Sequence, residues 1–362
     1  MSQALTLTAD TDHAERPPVR RTPPLTTLLL LVVLSLFLSV GLGSLSIHPG
    51  QVLGIFAHQL GLEAFSTFEP RHEAVLLGIR LPRALLAMVV GAGLGLSGAA
   101  MQGLFRNPLA DPGLIGVSSG AAFAAAGAIV IGGSLLSGAP GAVIMPLAAF
   151  SGSLLTTLLV WRIAQRGGRV QVATMLLAGI ALNALTGAGT GALTLIASEP
   201  QLRSITFWSL GSLNGAGWMT LATVVPFVGL ALFALPRLSR ALNALLLGES
   251  EALHLGVRIE RVKHGVILLT ALAVGASVAV AGLIGFIGLV APHLVRLLWG
   301  PDHRTLLPGA ALMGALLLSF ADLLSRTLIA PAELPVGILT ALMGAPFFLW
   351  LLLRSRGVGV SR

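Results

Sequence analysis

The sequence predicts an all-α polytopic membrane protein with ten transmembrane helices per subunit. Three observations lead there. Hydrophobic residues make up 55% of the 362 residues, charged residues 10%, and the mean hydropathy is +0.91; a soluble domain carries roughly 25% charged residues, so this chain cannot cover a water-facing surface. Charge-free apolar windows recur at the ~20-residue length that crosses the hydrocarbon core as helix. The basic residues fall mostly on one side when ten spans are counted. Soluble enzymes, nucleic-acid binders and disordered scaffolds are excluded. The formal charge of +8 marks loops and orientation rather than a nucleic-acid footprint.

Each element follows in order. Residues 1–24 are polar and rich in Pro and Arg, which predicts a disordered cytoplasmic tail. The apolar run Leu25–Leu45 reaches ~30 Å as a helix, too long for a signal h-region and without a nearby cleavage site. Further windows are 84–105, 112–161, 170–198, 204–236, 264–295, 305–321 and 334–353. The second of these holds two helices, broken at the turn signal Ser137-Gly138-Ala139-Pro140-Gly141. The 204–236 window predicts a short re-entrant helix (203–209), then a span after Gly215. The 305–321 window extends to about Ile329 once Asp322 and Arg326 are taken into the bundle. The 264–295 window divides at Gly282, Gly285 and Gly288 into one full span and one short one. Counting it as two places 17 of the 22 Lys+Arg residues inside and both termini in the cytoplasm. The permease domain is then 25–357, followed by a short tail, 358–362. The longest cytoplasmic loop is 237–263 and the longest outer loop is 46–79.

Glycine is abundant, 44 residues, and runs such as Gly91–Gly95 and Gly187–Gly191 predict helices packed backbone to backbone. No cysteine is present, which excludes disulfides, thiolate metal sites and a Cys nucleophile. No G-x-x-x-x-G-K-[ST] occurs, and the single lysine, Lys263, lies in Arg-Val-Lys-His. An ATP-driven role therefore needs a separate subunit. His72-Glu73 lacks a second histidine for a zincin site. Gly116-Val117-Ser118-Ser119-Gly120 matches the nucleophile elbow G-x-S-x-G but opens a membrane helix rather than a strand–turn–helix. Gly95-Leu96-Ser97-Gly98 resembles the rhomboid intramembrane serine proteases, with His264 or His293 as the base. That is the alternative of another class. Asp322 and Arg326 stand four residues apart, the favourable order for an ion pair, and no second buried carboxylate accompanies them for a proton relay. His293, after Pro292, reads as a local hydrogen-bond donor. In segment 245–258, Glu249 and Glu251 come early and Gly256 late, as in a short capped helix with leucines left for a partner.

The stretches Arg80-Leu81-Pro82-Arg83, Gly98-Ala99-Ala100-Met101-Gln102-Gly103-Leu104-Phe105-Arg106-Asn107-Pro108-Leu109-Ala110-Asp111-Pro112, Gly285-Phe286-Ile287-Gly288-Leu289-Val290-Ala291-Pro292-His293, Asp302-His303-Arg304 and Glu333-Leu334-Pro335-Val336-Gly337 resemble the FecCD-type permeases of iron-chelate, haem and vitamin B12 ABC importers. The likeness runs in order over about 25–357. It implies the vitamin B12-importer-like (type II ABC importer) permease fold and a homodimer around a central path in the bacterial inner membrane. Each assembly would carry two copies of an ABC ATPase and share one periplasmic substrate-binding protein. ATP and Mg would sit on the ATPase, with no catalytic residue, metal or cofactor in this chain and no nucleic-acid partner. It implies ATPase coupling through Gly248, Glu249, Ala252, Leu255 and Gly256, and binding-protein docking through Arg80 and Arg326. Arg203, just beyond the fifth span, is the expected substrate-path residue. Two copies at a dimer mouth suit the propionates of haem (hemin), with a ferric siderophore or cobalamin as alternatives.

Overall fold

The computed structural model describes residues 24–43, 45, 47–62, 67–132, 141–330 and 332–357. The expected tails, apart from Pro24, and residues 137–140 of the expected turn lie outside these. Helix α1 (Pro24–Gly41) leads to a surface helix α2 (Pro49–Gln59). Helix α3 (Pro70–Val75) runs through a π-type turn, Leu76–Arg80, directly into α4 (Leu81–Phe105). Next come α5 (Val117–Val130), α6 (Gly141–Ala164), a two-stranded hairpin β1 (Gln165–Arg166) and β2 (Arg169–Val170), and α7 (Val172–Ile196). A short helix α8 (Glu199–Ser209) precedes α9 (Trp218–Ala234). Two short helices follow, α10 (Ser239–Leu246) and α11 (Glu249–His254). The chain closes with α12 (Ile259–Ala281), α13 (Ile287–Trp299), α14 (His303–Thr327) and α15 (Val336–Gly357).

Six helical stretches among the described residues are long and apolar enough to cross a membrane, and four shorter apolar helices (Leu25–Gly41, Val117–Val130, Ile287–Trp299, Val336–Leu349) stand with them. Together these are the ten expected spans: α1, α4, α5, α6, α7, α9, α12, α13, α14 and α15. The end at which α1 begins is called proximal below, the other distal. With ten crossings α15 finishes at the proximal end.

The divided window is the decisive local feature. Helix α12 stops because Gly282 takes φ +68°, and a Cβ there would stand 2.2 Å from the Trp208 carbonyl oxygen. Only glycine meets both demands. Phe286 adopts φ +68° before α13 restarts the chain.

Helix α4 is the axis of the bundle. Every residue from Val90 to Phe105 is buried, and its most extensive partner is α14. The approach is backbone to backbone: a Cβ on Gly91 would lie 2.3 Å from the Gly314 oxygen, and one on Gly98 would lie 1.8 Å from the Gly288 oxygen. This is the small-residue packing expected of helices in lipid, where apolar side chains gain little by leaving one another. By contrast α7 buries only Met175, Ala178 and Gly179. Its Leu177, Ile180, Leu185, Leu195 and Ile196 are open.

Three features differ from expectation. The distal helix α8 starts at Glu199, four residues before 203, where Ser198 and Gln201 form a reciprocal N-terminal cap. Segment 245–258 is divided between α10 and α11 by Gly248. The β1–β2 hairpin is additional. Gly167 and Gly168 (φ +57° and +74°) make its two-residue turn, the geometry that two positive-φ residues favour.

Candidate functional site

The distal end is organised by arginines that apolar helices hold in place. Arg80, expected to dock a binding protein, is only 4% exposed. Its Nη1 donates to the carbonyls of Val40 and Gly41 at 3.1 and 3.0 Å, and its Nη2 donates to Leu45 O. It thus caps the carbonyls at the end of α1, where a helix leaves acceptors unpaired. Gly43 makes the room, since a Cβ there would stand 2.6 Å from Nη2. The Arg80 side chain is thus turned into the bundle in this structure.

Arg83, one turn further, is the hub that the sequence did not reveal. Its Nε donates to Asp322 Oδ1 at 2.9 Å, and its Nη1 to both Glu333 oxygens at 3.0 Å. The expected Asp322–Arg326 pair is present, with Nε 3.1 Å from Oδ2. The angle is poor for a hydrogen bond, so this contact is Coulombic, while Nε also reaches the Asp322 carbonyl at 3.4 Å. Arg326 Nη2 continues to Ser39 O and Oγ on α1. Arg326 is therefore drawn inward. One buried carboxylate binds α1, α4, α14 and the start of α15 together. The distal arginines that do stand in solvent among the described residues are Arg71 and Arg203. Arg203 lies on α8, beside exposed Leu202 and Phe207 and beyond the open face of α7.

At the proximal end, α11 carries the expected coupling residues. Gly248 precedes it at φ +125°. Glu249 and Glu251 occupy its first turn and Ala252 is fully buried. Its end is a Schellman motif: Val257 N–H donates to Ala252 O, Gly256 N–H to Leu253 O, with Gly256 at φ +78°. Leu247, Leu253 and Leu255 are 67%, 59% and 65% exposed, an apolar face that none of the described residues covers. Behind α11 lies a buried cluster. Lys263 Nζ is 2.8 Å from Val170 O, 2.9 Å from Glu249 and 3.4 Å from Glu260. Alongside, Asp302 caps α14 by accepting from the Arg304 N–H, and also accepts from Asn243 Nδ2 on α10. These two bonds hold its carboxyl below the ordinary range.

The serine-protease alternative finds no support in this geometry. Ser97 is completely buried and its hydroxyl has no hydrogen-bond partner, a histidine included. Ser118 sits in the first turn of α5, not on an elbow. His293 is packed against Phe347 and Phe348, with neither ring nitrogen hydrogen-bonded. The expected donor role is therefore not seen.

A bundle of ten apolar helices, with an uncovered leucine-bearing helix at one end and charged residues at the other, defines a polytopic permease. Comparison with known proteins gives the family: residues 30–354 match the FecCD transport family, and the chain belongs to it. It is 52% identical over 289 residues to the hemin transport system permease HmuU of Yersinia pestis, covering 78% of this chain and 84% of that one. It is 44% identical over 290 residues to the cobalamin import permease BtuC of Halobacterium salinarum, covering 80% and 76%. Among solved structures it resembles an ABC transporter described as metal-chelate type, in an inward-facing conformation. The TM-score is 0.79 at 36% identity, over 91% of this chain and 98% of that one.

Proposed function

We propose that this chain is the haem-translocating permease subunit of an ATP-driven importer in a bacterial inner membrane. Two copies surround the path, two ATPase subunits sit on the proximal, cytoplasmic side, and one periplasmic binding protein delivers haem at the distal side. The observation that carries the importer reading is the pair of unlike ends. A capped helix with open leucines offers a docking knob to a soluble motor, and the exposed α7–α8 wall with Arg203 offers a receiving face at the other end. Haem is supported by the 52% identity to a hemin permease and by the chemistry of Arg203, whose guanidinium is always charged and pairs bidentately with carboxylates such as propionates. Cobalamin is the second reading, supported by the 44% relative.

Transport follows alternating access. ATP binding closes the ATPases, α11 moves with them, and the spans lining the path tilt to expose it to one side at a time. The chain itself breaks no covalent bond. Arg80 and Arg326 shape the distal surface from within, and the exposed Arg71 and Arg203 meet the binding protein and its cargo. The test is uptake into proteoliposomes holding the permease, its ATPase and its binding protein, with hemin and cyanocobalamin as alternative cargoes. Hemin uptake is expected only with ATP and both partners, reduced about tenfold by Arg203→Ala, the scale of one lost charge-assisted contact. Uptake of cyanocobalamin but not hemin would replace the first reading by the second. Uptake by this chain alone would overturn both.

A further inference from the structure

We propose that Lys263 is the positioning residue through which the coupling helix α11 moves the path-lining span α7. The inference rests on the function proposed above and deepens it. Lys263 is the sole lysine of the chain and lies 3% exposed in the first turns of α12. An ammonium carries three protons, and here they meet acceptors on three different elements. Val170 O belongs to the hairpin, at 2.8 Å; Glu249 is the first residue of α11; Glu260 is on α12 itself.

The hairpin contact gives the cluster its reach. Val170 is held on both sides of its backbone: its N–H donates to Glu260 Oε2 at 2.9 Å and its carbonyl accepts from Lys263. Only Gln171 separates it from Val172, where α7 begins. On the other side, Glu249 follows Gly248, whose φ of +125° and open surroundings make a pivot between α10 and α11. A displacement of α11 therefore pulls Glu249 against Lys263. The ammonium does not stay behind, because Glu249 is the nearer of the two carboxylates that compensate its buried charge, and loosening that pair is costly. The pull passes to Val170 and into the first turn of α7. A guanidinium is a poor replacement: its donors are spread over a planar fork rather than one compact point.

The experiment uses the assembled transporter in proteoliposomes, with hemin as the cargo and ATP hydrolysis read in parallel. Lys263→Met is expected to leave hydrolysis and ATPase affinity within about twofold of the parent and to lower hemin moved per ATP by about tenfold, within the usual range of an inter-site coupling. Lys263→Arg restores charge without geometry and is expected between the two. An unchanged ratio in Lys263→Met, or a parallel fall of hydrolysis and uptake in that variant, overturns the role.

A readout independent of cargo separates this from failure of the transport reading. The chain has no cysteine, so spin labels at His254→Cys and Arg166→Cys report the distance between α11 and the hairpin. With the ATPase bound, that distance is expected to stay fixed between nucleotide-free and nucleotide-trapped states in the parent and to change in Lys263→Met. Equal behaviour of the two overturns the proposal even if hemin is not the cargo.

Discussion

At Asp322 a single carboxylate, wholly buried in α14, faces Arg83 from α4 and Arg326 from its own helix. Removing it takes the carboxylate partner from Arg326 and leaves Arg83 with Glu333 alone, and breaking a buried pair from one side costs about 3–5 kcal/mol. Asp322→Ala is therefore expected to lower the thermal midpoint of the purified permease steeply. Glu333→Gln touches the partly exposed edge of the same network and costs at most about 1 kcal/mol; equal losses would show that the buried carboxylate is not the anchor. Half of this cluster was legible: Asp322 and Arg326 lie four apart on one helix, which spacing alone pairs. Arg83 stands 239 residues from Asp322, and no local pattern announces such a partner. Nor does the sequence announce the burial of Arg80, since its acceptors are main-chain carbonyls at the end of α1 and at Leu45, which carry no residue signature. Asp302 gives a pH test outside the membrane. Its folded pKa lies below the ordinary 3.8, so its stabilisation is fully present above that value and is lost as pH falls through the folded one. Asp302→Asn is expected to weaken this acid-limb loss in unfolding measurements below about pH 4.

Among the elements, the crossing of α4 over α13 and α14 is set by what the helices lack. A methyl on Gly98 would meet the Gly288 carbonyl at 1.8 Å, backbone against backbone, with no side chain free to swing aside. Gly98→Ala must separate two helices, and overpacking of this kind costs roughly 1–3 kcal/mol or more. Gly229→Ala, in α9 with nothing within 4 Å of the new methyl, is the control expected to show no loss of folded yield in membranes. The glycine-rich runs thus told correctly that helices come close, without telling which ones. The helix count was readable because the α12–α13 division rests on glycine chemistry at Gly282. The hairpin was not, because Arg166-Gly167-Gly168-Arg169 between two spans reads equally well as a plain polar loop until β1 and β2 are seen to pair.

At the scale of the molecule, the count of ten decides which elements share a face. Were α12 and α13 one crossing, everything after Gly282 would change sides, and the basic residues would divide almost evenly between the two faces. The structure gives two helices with a left-handed residue, Phe286, between them, so the end of α15 returns to the proximal face that the hairpin, α10 and α11 occupy. The positive-inside rule then predicts that this face, to which the sequence count assigns 17 of the 22 basic residues, is the cytoplasmic one. The absence of cysteine turns this into a clean measurement. Leu253→Cys places a thiol on the exposed face of α11, where the native side chain is 59% open. Arg71→Cys places one on the distal surface, where the arginine is 65% open. A membrane-impermeant maleimide added to intact spheroplasts is expected to label the second and not the first, and to label both once the membrane is opened. Labelling of Leu253→Cys from outside would put the leucine-bearing helix where no ATPase can reach it. The cytoplasmic motor and the role given to Lys263 would then fall together, because each depends on α11 facing the cytoplasm.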